Sequence, residues 1–307
     1  MGGFVHMNIE QLCNVCPRLC NVQRPLTLQA KTAMPGYCHS PLQPVVARAA
    51  LHQWEEPCIS GTKGSGTIFF SGCNLRCCFC QNVVISHART GKQITVERLR
   101  QIYEELIAQG AHNINLVTPT HYTESILESL AEPLPVPVVY NCGGYESVHT
   151  IDRLAGKVQI YLPDLKYMDA TLAAKYSAAA DYPATATTAI KRMYEQVGPY
   201  QLDEEGLLLH GVVIRHLILP GCVDNTKRVI DWVASHFSEG QVLFSLMRQY
   251  VPCGQAEQYP EINRPLSDAE YDEAEQYLFD SGIEDGFVQE KDSASEEFIP
   301  PFDGTGV

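Results

Sequence analysis

The 307-residue chain lacks any apolar run approaching the ~18 residues that a membrane-crossing helix requires. Residues 1–10 carry neither the basic stretch nor the apolar core that opens a secretory leader. A cytoplasmic location with no membrane partner is therefore expected. Positive charge is also scarce, with 22 Lys and Arg against 36 Asp and Glu. The imbalance is local. Residues 255–307 hold fifteen acidic side chains against Arg264 and Lys291, a net of −13, whereas residues 1–254 hold 21 acidic and 20 basic ones. Without a cationic footprint, nucleic acid is not an expected partner. The acidic end reads as a solvated helix and tail.

Cysteine, by contrast, is abundant. Twelve thiols in a reducing compartment point to metal binding or catalysis rather than disulfides. Seven fall into two groups: Cys13, Cys16 and Cys20 with Cys38 downstream, and Cys73, Cys77 and Cys80, with Cys78 inside the second group. Cys58, Cys142, Cys222 and Cys253 are isolated and read as small buried residues or free thiols. Cys142 and Cys222 fall at strand ends, where a thiol facing a cavity could quench or relay a radical.

Three regions are expected: a Cys-rich N-terminal segment over 1–60, a central unit over 61–254, and an acidic helix and tail over 255–307. The first 45 residues show little periodicity, and a metal staple would hold them. From Gly66 the pattern becomes regular. Strands are expected over 67–70, 114–117, 136–140, 158–162, 212–219 and 242–246. Helices are expected over 96–108 behind an N-capping Thr95, and over 123–130, 145–154, 170–196 with a break near Pro183, 226–236 and 268–279. Strands that alternate with helices imply a parallel sheet in an α/β fold, a partial (β/α)6 barrel or a doubly wound sheet. The partial barrel is favoured because polar motifs follow each strand, where such barrels carry their chemistry.

Gly72-Cys73-Asn74-Leu75-Arg76-Cys77-Cys78-Phe79-Cys80 follows the first of these strands directly. Three thiolates on one loop, spaced C-x3-C-x2-C, would leave one iron of a [4Fe–4S] cubane without a protein ligand. A structural zinc knuckle that borrows a fourth ligand is the competing reading. The spacing, with Phe79 before the last cysteine, resembles the signature of the radical SAM superfamily. That resemblance implies that Cys73, Cys77 and Cys80 hold the cluster and that S-adenosylmethionine fills the open iron. It leaves Cys78 as a spare thiol.

Asp164-Leu165-Lys166 after the fourth strand, and Ile214-Arg215 with Pro220-Gly221 at the fifth, are similar to elements of glycyl-radical activating enzymes. By this resemblance Asp164, Lys166 and Arg215 position S-adenosylmethionine, while Phe79, Thr118 and Asn141 shape its pocket. A simple Asp164–Lys166 ion pair is the alternative. The second strand departs from that pattern, ending in Thr118-Pro119-Thr120-His121 instead of a Gly-Gly-Glu turn, so no carboxylate is on offer there. The stretch Gly66-Thr67-Ile68-Phe69-Phe70-Ser71-Gly72-Cys73-Asn74-Leu75-Arg76-Cys77, the Cys-rich start and the motif over 286–295 resemble the uncharacterised homologues of pyruvate formate-lyase activating enzyme.

The resemblance further implies a flavodoxin or ferredoxin as reductant and a glycyl-radical enzyme as partner. A radical enzyme acting on a small molecule or peptide, and a non-radical iron–sulfur or zinc electron-transfer protein, remain the rival readings. Cys13, Cys16, Cys20 and Cys38 are read as a second site for zinc or an auxiliary cluster. The run Asn141-Cys142-Gly143-Gly144 offers two glycines for close backbone approach to a ligand. His52, Trp54, Glu55 and Glu56 read as packing and solvated charge, and His121 and His216 as cofactor contacts or hydrogen-bonded structural residues. No catalytic side chain is assigned.

Overall fold

The computed structural model describes residues 12–28, 34–87, 90–289 and 300–307. Residues 1–10, read above for a leader, and residues 290–295 of the C-terminal motif lie outside the described residues. The frame is a sheet whose main strands are β1 (Val45–His52), β2 (Ser65–Phe70), β3 (Ile114–Val117), β4 (Val138–Cys142), β5 (Ile160–Pro163), β6 (Leu208–Leu217), β7 (Leu243–Met247) and β8 (Gly286–Val288). They pair in the order β8-β7-β6-β5-β4-β3-β2-β1. Strands β2 to β8 are parallel to their neighbours, and β1 is antiparallel to β2. Every residue of β2, β3, β4, β5 and β7 is buried, as expected of parallel strands covered on both faces.

The crossovers are helical: α1 (Val96–Ala108), α2 (Thr123–Ser129), α3 (Val148–Arg153), α4 (Ala170–Ser177), α5 (Tyr182–Val197), α6 (Val223–His236) and α7 (Asp268–Asp280). Their starts follow from local chemistry. The Thr95 side chain accepts the Arg98 N–H, Asp169 accepts those of Thr171 and Leu172, and Ser267 forms a capping box with Glu270. The expected break in the 170–196 region is real: Ala178 turns left-handed at φ 47°, and Pro183 sits in the first turn of α5.

Two of these main strands, β1 and β8, were not expected, nor were the two-residue strands Lys92–Gln93 and Gln201–Leu202. β1 lies within the segment read as an N-terminal appendage, yet it pairs with β2 from Val46–Phe70 to His52–Ser65. β8 extends the sheet beyond β7 inside what reads as a weakly structured end. Residues 300–307 return to the opposite edge, where the Ala49 N–H donates to Thr305 O (2.9 Å) and the Gly304 N–H to Ala47 O (3.0 Å). Among the described residues, no helix is long and apolar enough to cross a membrane.

Candidate active site

The C-terminal ends of the parallel strands open onto one cavity of about 730 Å³. Cys73, Cys77, Phe79, Cys80, Thr118, Asn141, Asp164, Lys166 and Arg215, singled out from five different strand ends, all line it. The order of the sheet explains the gathering: each motif follows its own strand, and the strands lie side by side.

The loop after β2 presents three sulfurs to the cavity. Each meets a donor: the Leu75 N–H lies 3.3 Å from Cys73 Sγ, the Ser177 hydroxyl 2.9 Å from Cys77 Sγ, and the Ser86 hydroxyl 3.3 Å from Cys80 Sγ. Such donors suit thiolate ligands. Burial, then the neighbouring Cys77, pushes the free Cys73 and Cys80 thiols up, to about 12 and about 11, and a metal would deprotonate them outright. Cys78 does not line the cavity, and its backbone is tied by the Cys78 N–H to Tyr176 O (2.8 Å) and by the Gln255 N–H to Cys78 O (2.6 Å). Among the described residues, no three His, Cys, Asp or Glu side chains are placed to hold a single metal ion. A cubane does not ask for that convergence, because each thiolate takes a different iron.

Opposite the thiols lies a charged network. Lys166 Nζ sits 2.6 Å from Asp164 Oδ2, so the ion pair foreseen as an alternative is present, and it belongs to a larger set. Arg215 donates to Asp164 Oδ1 (3.0 Å), Glu55 Oε2 (3.1 Å) and Asn141 Oδ1 (2.7 Å), and the Asn141 amide donates to Glu55 Oε1 (3.1 Å). Burial alone would raise the Asp164 carboxyl, but Lys166 and Arg215 outweigh it and hold it below the ordinary value. Burial would likewise lower Lys166 and Arg215, yet Asp164 keeps both well above their usual range. The Tyr182 hydroxyl accepts the Lys166 N–H at 2.9 Å and lies 2.7 Å from Asp164 O, fixing this turn. Nothing in the local sequence pattern singles out Tyr182, sixteen residues away.

Thr118 lines the cavity with φ 59°, a left-handed conformation costly for a β-branched residue, and its N–H donates to Asn141 O (2.8 Å). Gly143 lines the cavity as expected. Gly144 serves packing instead: at φ 76°, a Cβ there would run into the Asp164 carbonyl.

Several expectations are corrected. Glu55 and Glu56 are not solvated charge, since both line the cavity, Glu55 within the Arg215 network and Glu56 accepting the Ser245 hydroxyl at 2.9 Å. His52 and Trp54 line it too. His121 and His216 are structural: His121 Nε2 lies 2.8 Å from Ser71 O, and His216 sits between Leu165 O (2.7 Å) and the Thr226 hydroxyl (2.9 Å). Burial holds them neutral, at about 3 and about 4. Cys142 lines the cavity, whereas Cys222 does not.

The Cys-rich segment is fastened to the loop after β2. Arg18 donates to the carbonyls of Asn74 (2.7 Å), Ala178 (2.5 Å) and Ser177 (3.0 Å), and its guanidinium lies 3.9 Å from the Tyr37 ring centre. The Tyr37 hydroxyl donates to Leu75 O (3.0 Å), and its N–H lies 3.3 Å from Cys20 Sγ. Cys16 and Cys38 are buried, Cys13 and Cys20 half-buried, and all twelve cysteines are free.

Residues 60–131 match the family described as a 4Fe-4S single cluster domain. The chain is 31% identical over 281 residues to the uncharacterized protein MJ0674 of Methanocaldococcus jannaschii, covering 88% of this chain and 74% of that protein. Among solved structures, SuiB of Streptococcus suis bound to S-adenosylmethionine aligns at 13% identity with a TM-score of 0.50, covering 71% of this chain and 48% of SuiB. SuiB bound to its precursor peptide SuiA aligns at 13% identity with a TM-score of 0.51, covering 71% of this chain and 46% of SuiB. The chain thus spans about half the length of these structures, and the likeness is one of fold.

Proposed function

We propose that this chain, which shares a family with the uncharacterized protein MJ0674, is a radical SAM enzyme that uses Cys73, Cys77 and Cys80 to hold a [4Fe–4S] cluster for reductive cleavage of S-adenosylmethionine. The observation that carries this reading is the delivery of three thiols to one wall of a cavity whose other walls hold the Asp164–Lys166–Arg215 network. Held by Cys73, Cys77 and Cys80, a reduced cluster would supply the one electron needed to split S-adenosylmethionine into methionine and a 5′-deoxyadenosyl radical. We read the sheet, whose main strands run from β8 to β1 without closing on themselves, as the partial barrel typical of such enzymes.

The chain's own groups have separate tasks in this reading. Leu75 N–H, Ser177 and Ser86 donate to the three sulfurs. Lys166 and Arg215 offer cations to the amino-acid carboxylate, and Asp164 keeps both charged and aimed. Asn141, Thr118 and Phe79 border the same space. A flavodoxin or ferredoxin is the proposed reductant. Cys13, Cys16, Cys20 and Cys38 are carried as a second site for an auxiliary cluster or zinc. Zinc there needs side-chain rotations, because these thiols do not converge on one ion.

Likeness at Asp164-Leu165-Lys166 supports activation of a glycyl-radical enzyme. Lining of the cavity by residues 286–289 and Pro300 favours a small substrate instead. The test is anaerobic reconstitution, reduction and assay for 5′-deoxyadenosine. Product is expected from the wild type and none from Cys80→Ser; absence of product from cluster-loaded wild type would retire the radical reading.

A further inference from the structure

The cavity has a second end. β1 runs antiparallel to β2, with His52 opposite Ser65, so the chain after β1 enters at the end where the parallel strands begin. From there Glu55 and Glu56 reach upward, Glu55 to Arg215 and Asn141, Glu56 to Ser245 inside β7. The cysteines follow the opposite end of β2 and line the far wall. Glu56 therefore floors a chamber whose roof is the cysteine loop.

No ion pair among the described residues matches its charge: those of the cavity are Lys166–Asp164, Arg215–Asp164 and Arg215–Glu55, which leave out Glu56. Among the described residues that line the cavity, three carboxylates, Glu55, Glu56 and Asp164, stand against two cations, Lys166 and Arg215, an excess of one negative charge. Glu56 is only 7% exposed, and its hydrogen-bond partner is the neutral Ser245 hydroxyl. Burial pushes its carboxyl above the ordinary value, with Arg215 offsetting only part of the rise. A buried carboxylate is costly unless a cation meets it, and a ligand that brings one relieves that cost.

The side of the chamber is occupied by the chain itself. Phe287, Gln289 and Pro300 line it, and the residues that follow are pinned to β1. The Phe302 ring packs 5.4 Å from that of Phe69, Asp303 pairs with Arg48 at 3.1 Å, and Gly304 and Thr305 bond to the β1 backbone. The whole cavity is about 730 Å³, within the range of roughly 300–1,000 Å³ that small-molecule sites occupy, and because it must seat the cofactor as well, the room beside Glu56 suits a small substrate.

Building on the radical reading above, we propose that the substrate is a small molecule bearing a compact cation, an ammonium or guanidinium, which seats on Glu56 while its reacting carbon faces the cysteine loop. This assigns Glu56 to substrate and the Asp164–Lys166–Arg215 network to the cofactor.

The test uses reconstituted, cluster-loaded protein with S-adenosylmethionine present, titrated calorimetrically with three probes of one shape: hexylamine, hexanamide and hexanoate. Hexylamine is expected to bind at least about tenfold more tightly than the other two, with that preference lost in Glu56→Gln and kept in Glu56→Asp. The change that S-adenosylmethionine causes in the reduced cluster's EPR spectrum is expected to persist in Glu56→Gln, which also shows that this variant is folded. Equal binding of amine and amide by the wild type, or an amine preference surviving in Glu56→Gln, would overturn the proposal. Loss of the EPR change in Glu56→Gln alone would also overturn it, by assigning Glu56 to the cofactor. Absence of that change in the wild type strikes the radical reading itself, a separate and recognisable failure.

Discussion

Glu146 gives the most quantitative handle on this molecule. It is 1% exposed and accepts the Thr120 hydroxyl at 2.6 Å and the Tyr140 hydroxyl at 3.1 Å, next to Cys142 on the cavity wall. Burial raises its carboxyl from 4.5 to about 7, the hydrogen bonds recovering only part of the rise. A folded-state value above the unfolded one means that the native protein binds the proton more tightly. Below the unfolded value Glu146 is protonated in both states and costs nothing. As pH climbs through the folded value, the native state must carry the charge, at roughly 3 kcal/mol. Stability is therefore expected to fall by about 2–3 kcal/mol between pH 5 and pH 8 on this account. Glu146→Gln keeps the shape and removes the titration. His121 and His216, held neutral by burial, act with the opposite sign as pH falls below the ordinary histidine value, but they are common to both proteins and cancel. Urea unfolding of both proteins under reducing conditions at four pH values reads the difference. The gap between variant and wild type is expected to widen toward pH 8. Parallel curves across that range would refute the reasoning.

Other expectations follow from the cavity. Asp164→Asn leaves Lys166 and Arg215 without their shared carboxylate, so melting is expected to drop and S-adenosylmethionine affinity to weaken by about tenfold or more, read by thermal unfolding and an EPR titration. Thr118→Gly relieves a left-handed β-branched residue, and a gain of about 1 kcal/mol is expected in chemical denaturation. Cys77→Ser is expected to lose the cluster on reconstitution, whereas Cys78→Ser keeps it. Iron and sulfide analysis separates the two, and the reverse result would reassign the ligands.

The alternation of strands and helices was legible because buried parallel strands are written as apolar runs, such as Ile114 to Val117, and helices as capped periodic stretches behind Thr95 or Ser267. Each polar motif follows its own strand, so the site could be assembled before its geometry was seen. β1 was missed because its Ala-rich sequence, Val45–His52, has weak strand preference and owes its form to pairing with β2. β8, three residues long, likewise depends on β7. Glu55 and Glu56 look like surface charge in sequence. Only the antiparallel course of β1 carries them under the sheet, and that is a tertiary fact. The Gly143-Gly144 pair split for a similar reason, since the Asp164 carbonyl comes from a different strand end.

One measurement bears most directly on the central claim that three protein thiolates leave an iron for the cofactor's amino acid. It is electron–nuclear double resonance on the reduced, reconstituted protein with S-adenosylmethionine labelled at its amino nitrogen and carboxylate oxygens. Hyperfine coupling from both labels to the cluster is expected. A cluster that binds four protein ligands and shows no coupling to either label would contradict the account.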